Sequence, residues 1–68
     1  MKWDKEKIKA LRKVLGLTQP KFAELIGTSN ILISYWERGK RHPSNISQAA
    51  LTYLAEVKDV KKEELRLT

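Results

Sequence analysis

The chain has no cysteine and a single histidine, His42. Disulfides and thiolate metal sites are thereby excluded, and one imidazole cannot assemble a zinc site alone. Neither a metal nor a cofactor is expected. Glycine appears three times and proline twice, so breaks in local structure are few and each one punctuates. Nothing approaches the roughly 20 consecutive apolar residues of a membrane span. The first residues alternate lysine with apolar side chains, a pattern unlike a secretory leader. The expectation is a soluble, cytoplasmic protein with no membrane partner.

With 68 residues the chain suits one small domain. A core of this size supplies only about 3 to 5 kcal/mol when no disulfide or metal supports it. Compact helix packing or a partner chain must provide the rest.

The net charge is +6 and unevenly placed. Residues 1–55 hold ten Lys or Arg against four acids, whereas 56–68 hold four of each. The excess sits on the part that carries the apolar periodicity, which points to a polyanionic partner or to solubility. Spacing decides between them.

Four helical segments are marked by their own caps. Asp4 can cap the first, with Trp3 and Ile8 as a hydrophobic staple and Ile8, Leu11 and Leu15 at helical spacing before Gly16. Thr18 opens the second, stapled by Leu17 and Phe22, with Phe22, Ala23, Leu25 and Ile26 as its apolar set and Gly27 at its end. Pro20 suits a first turn but disfavours helical dihedrals at Gln19, so a late or distorted start is expected. Thr28 or Ser29 caps the third, which runs to about Arg38. The β-branched and aromatic run Asn30–Trp36 would also suit a strand, but no second strand candidate exists to pair with it. A basic loop, Gly39-Lys40-Arg41-His42-Pro43, leads to a fourth helix from Ser44 or Asn45, with Ile46, Ala49, Ala50, Tyr53, Leu54 and Val57 on or near one face. After Asp59 the tail carries Val60, Leu65 and Leu67 and is read as a short helix, a frayed end or a dimer contact.

Two short helices joined by a glycine-containing turn in a basic all-helical chain describe a helix-turn-helix. Ala23 stands where the helices come closest, Gly27 permits the turn, and Phe22, Ile26, Ile33 and Trp36 supply the apolar contacts. From Ile8 to Leu54 the chain resembles the Cro/repressor-type (XRE, lambda-repressor-like) helix-turn-helix family. The resemblance rests on the joint presence of Leu17-Thr18-Gln19, Ala23-Glu24-Leu25-Ile26-Gly27, Ile33-Ser34-x-Trp36-Glu37-Arg38-Gly39 and the basic loop closing in Pro43-Ser44.

That resemblance implies an all-α, compact four- to five-helix DNA-binding domain over residues 1–57, with the helix-turn-helix unit at about 19–38 and a tail over 58–68. It implies a double-stranded operator as partner, occupied by a homodimer, and a location at the nucleoid. By position, Gln19 matches a backbone-contacting residue that supports base contacts. Asn30, Ile31 and Tyr35 stand where recognition helices reach base edges, while Ser34, Arg38, Lys40 and Arg41 stand where phosphate contacts are expected. The resemblance also implies an ion pair between Arg12 and Glu37. Two departures stand out. Pro20 and Lys21 replace residues that often complete a capping box, and Ile31 and Leu32 stand where polar residues are common.

The residues support these roles chemically. Lys40, Arg41 and Arg38 can displace counterions from phosphates, or simply complement the dipole at a helix C-terminus. Gln19 near a helix N-terminus can join free N–H groups on a phosphate. Asn30 can bond bidentately to adenine, and Ile31 can meet a thymine methyl or another protein. Ile33 and Trp36 face the core, with Leu32 on their flank. His42 is read as a surface residue. No nucleophile with a base, carboxylate pair or phosphate-cradling glycine loop is evident, so an enzyme is not expected. The leading reading is a sequence-specific transcriptional repressor. The alternatives are an antitoxin that also covers a toxin protein, and a protein-interaction adaptor using Ile31, Leu32 and Tyr35.

Overall fold

The computed structural model describes residues 2–66, and these form five helices in the order α1 (Lys5–Val14), α2 (Gln19–Ile26), α3 (Asn30–Glu37), α4 (Asn45–Val57) and α5 (Lys62–Arg66). Each of the first four starts from a side chain that accepts an otherwise unpaired N–H. Asp4 accepts from Lys7, Thr18 from Lys21, Ser29 from Leu32 and Ser44 from Ser47, at 2.9 to 3.3 Å. Such a cap contributes about 1 kcal/mol, a sizeable increment for a domain this small. Ser29 rather than Thr28 opens α3. Pro20 does not delay α2, which begins at Gln19. The Thr18 cap and the Gln19 side-chain bond to α3 described below hold that first turn.

Between α2 and α3 the chain reverses at Gly27, whose φ of 88° lies in the left-handed region. Both the Gly27 and Thr28 N–H groups donate to the Ala23 carbonyl, at 2.8 and 3.0 Å. The carbonyl left over at the helix end is thereby satisfied, and α3 starts two residues further on.

The core gathers Trp3, Ile8, Ala10, Leu11, Phe22, Ala23, Ile33, Trp36, Leu51, Leu54, Ala55 and Leu65, with Leu15, Leu17, Ile26, Leu32 and Val60 packed at its edge. α2 and α3 pack on each other, α1 braces α3, and α4 closes over α2. Trp3 is buried, and its indole N–H donates to the Thr52 hydroxyl at 2.9 Å, tying the start of the chain to α4.

Two elements depart from the sequence pattern. The apolar set of α4 divides, because Leu54 turns inward beside Leu51 and Ala55 while Ile46, Ala49, Tyr53 and Val57 face solvent and Ala50 lies between. Leu25, grouped with the apolar face of α2, is also exposed. The tail forms α5 against α1, with Leu65 buried and Val60 half-buried against the core. Those two side chains are therefore used within the chain, and Leu67 lies outside the described residues.

Candidate nucleic-acid interface

The outward side of α3 begins at its first residue. Asn30 is exposed, and Ile31 beside it is 62% exposed, high for a large aliphatic side chain. Ile33 and Trp36, on the opposite side, are buried against α1 and α2. Ser34 and Tyr35, one turn on from Asn30 and Ile31, are half-buried. The helix thus presents a short uncharged row, Asn30, Ile31, Ser34 and Tyr35, at a helical spacing that keeps them on adjoining faces.

Cations follow this row at the C-terminal end. The Arg38 guanidinium sits 5.3 Å from the centre of the Tyr35 ring, within cation–π range, and its Nε donates to the Ser34 carbonyl at 3.4 Å. The Lys40 N–H donates to the Tyr35 carbonyl at 2.8 Å, which folds the loop back over the helix end. Tyr35, Lys40 and Arg41 line a shallow hollow of about 300 Å³. Both cations are exposed, as is His42, whereas Pro43 is buried and anchors the far end of the loop.

Lys5, on α1, was not singled out by spacing yet belongs to the same neighbourhood. Its Cδ lies 3.2 Å from where a Cβ on residue 39 would stand, with Nζ at 3.8 Å. Gly39 (φ 73°) provides both the left-handed turn and the room for that side chain. The tertiary fold alone brings Lys5 to the loop, so local sequence carries no signal for it.

At the start of α2, Gln19 is half-buried and turned toward the C-terminal end of α3. Its Nε2 donates to Glu37 Oε1 at 3.2 Å. The same carboxylate takes a two-pronged bond from Arg12, Nε to Oε2 at 2.7 Å and Nη2 to Oε1 at 2.9 Å, while Arg12 Nη1 donates to the Leu17 carbonyl at 3.0 Å. The side chains of Arg12 and Glu37 are only 17% and 5% exposed. Hydrogen bonding to Glu37 raises the Arg12 pKa further above its ordinary value, outweighing the opposing effect of burial, and the nearby negative charge adds to the rise. The buried side-chain polar atoms among the described residues all have partners.

Among the described residues no cluster of His, Asp and Glu could hold a metal ion, and no helix is long and apolar enough to cross a membrane.

A helix set by a glycine turn against a second helix, with cations at its C-terminal end, has the geometry of the helix-turn-helix class. A family model described as helix-turn-helix matches residues 8–65, and the chain belongs to this family, in its Cro/repressor type. Over 47 residues it is 38% identical to Repressor protein C2 of Salmonella phage P22, a stretch that covers 69% of this chain and 22% of the phage protein. The chain thus spans about a fifth of the length of that curated relative. No solved structure matches it.

Proposed function

We propose that this domain is a sequence-specific reader of double-stranded DNA that represses transcription by occupying an operator as a homodimer. The observation that carries the reading is the row on α3, Asn30, Ile31, Ser34 and Tyr35, exposed at its N-terminal end and followed by Arg38, Lys40 and Arg41. The similarity to a phage repressor supports the same reading. In the major groove, Asn30 pairs with adenine N6 and N7, and Ile31 packs on a thymine methyl. The Tyr35 hydroxyl reaches a base edge or phosphate, while Ser34, Arg38, Lys40 and Arg41 take phosphates on one side and Gln19 takes one on the other.

The second copy docks on α4. Its apolar residues Ile46, Tyr53 and Val57 are exposed, Ala50 between them is half-buried, and the four alternate four and three apart, the spacing of a two-helix seam. A patch on one helix that repeats this way is self-complementary under a two-fold axis. Such a dimer places two reading helices on half-sites about 34 to 36 Å apart. DNA binding places the protein at the nucleoid.

The test is selection of binding sites from a random duplex pool at physiological salt, with Asn30→Ala and Lys40→Ala in parallel. Asn30→Ala relaxes preference at one position of the selected site. Lys40→Ala weakens all duplexes alike and flattens the salt slope by about 0.9. If both variants bind like the parent, α3 and its loop are not the DNA surface.

A further inference from the structure

We infer that Glu37 is a positioning residue for DNA backbone binding: it fixes the Gln19 side-chain amide so that one N–H is held inside the protein and the other is aimed outward at a phosphate. This rests on the DNA-binding reading above and assigns a second role to a carboxylate that otherwise only braces the fold.

The argument begins with the donors available at the start of α2. A helix N-terminus ordinarily offers several free N–H groups to an anion. Here Pro20 has none, the Lys21 N–H is taken by the Thr18 hydroxyl, and the Phe22 N–H by the Thr18 carbonyl at 2.9 Å. What remains in the first turn is the Gln19 backbone N–H and the Gln19 side chain. The way the side-chain amide faces therefore decides whether this end of the helix can hold a phosphate well.

A primary amide has two N–H donors and one carbonyl acceptor. Flipped one way it offers phosphate a donor, and flipped the other way it offers a repelling oxygen. A carboxylate can accept but not donate, so a bond from Gln19 Nε2 to Glu37 Oε1 settles the flip. The carboxylate itself cannot rotate away, because Arg12 grips both of its oxygens and is in turn anchored to the Leu17 carbonyl just before the Thr18 cap. One charge pair thus joins the end of α1, the start of α2 and the end of α3, and the second Nε2 hydrogen is the one assigned to the phosphate. The negative charge that would oppose a phosphate is held with its countercharge, 5% exposed.

The test is a double-mutant cycle on a fixed duplex taken from the site selection, using Gln19→Ala, Glu37→Gln and both together. It is run at low temperature, where circular dichroism shows each variant folded. A neutral amide releases no counterion, so Gln19→Ala lowers affinity severalfold without changing the salt slope, in contrast to Lys40→Ala. Glu37→Gln lowers affinity by a similar factor in the parent and by little in the Gln19→Ala background, although it lowers melting temperature in both. Equal losses of affinity in the two backgrounds overturn the inference and leave the DNA reading standing. Absence of duplex binding by the unchanged chain overturns both.

A second measurement needs no Glu37 variant. The two side-chain amide protons of Gln19, assigned by their disappearance in Gln19→Ala, are followed by NMR as duplex is added. One proton keeps its shift and slow exchange while the other moves. Movement of both, or of neither, overturns the inference.

Discussion

Ile31 is the residue that most separates this reading surface from a polar one. Its exposure places a branched aliphatic group where only a partner can cover it, and the partner proposed here is a thymine methyl. Uracil lacks that methyl, so replacing the thymine opposite Ile31 in a selected duplex isolates the contact. Loss of one buried methyl is worth about 0.8 kcal/mol, roughly fourfold in affinity. The parent should show that loss, and Ile31→Ala should not distinguish the two duplexes. A second residue-scale prediction concerns Glu37→Gln, which removes the charge from a bond network that is mostly buried and should destabilise the fold by about 1.5 to 3 kcal/mol. Hydrogen bonding raises Arg12, so the stability its charge contributes is complete below the ordinary arginine range and is lost only as pH rises through the raised value. The melting difference between parent and Glu37→Gln should therefore stay constant from neutral pH to about pH 10, and a difference that shrinks over that range contradicts the sign.

Helix starts were legible because Asp4, Thr18, Ser29 and Ser44 are short oxygen-bearing side chains placed just ahead of apolar periodicity, and a cap acts locally. The inward face of α4 was not legible. Leu51, Leu54 and Ala55 on one side and Ile46, Ala50, Tyr53 and Val57 on the other both satisfy helical spacing, and periodicity finds a stripe without saying which neighbour covers it. The fate of the tail was open for a related reason. α5 has five residues, too few to be stable without tertiary packing, and its existence depends on Leu65 meeting α1. Leu65→Ala should accordingly lower stability by about 2 to 4 kcal/mol and release α5. Leu25→Ala, on an exposed face of α2, should change it by less than about 0.5 kcal/mol. Thermal melts with amide exchange over residues 62–66 distinguish these outcomes.

Across the whole molecule, the helix and loop of the proposed site were more legible than the long-range contacts around them. Residues 30–41 could be read as a helix and a basic loop from adjacent letters, whereas the approach of Lys5 to Gly39 and of Gln19 to Glu37 joins positions far apart in sequence. The inward turn of Gln19 is a tertiary fact of this kind, and it bears on the phosphate contact proposed for that residue. The proposed dimer would likewise be a property of the assembled surface. Tyr53→Glu combined with Ile46→Glu places like charges on the two-fold seam while touching nothing in the core. Sedimentation should then show monomer at concentrations where the parent is dimeric. Affinity for a paired operator should fall toward that for a half-site, with the melting curve of the monomer unchanged. A parent that sediments as a monomer both alone and on DNA rules out the seam.

The exposure of Asn30 and Ile31, set against the burial of Ile33 and Trp36 on the same eight-residue helix, separates two kinds of information on one short segment. On the proposed reading, the side chains that choose a base sequence contribute little to the core, and those that form the core are turned away from the DNA. On that reading, substitutions at positions 30 and 31 should change the preferred operator while leaving the melting temperature nearly unchanged.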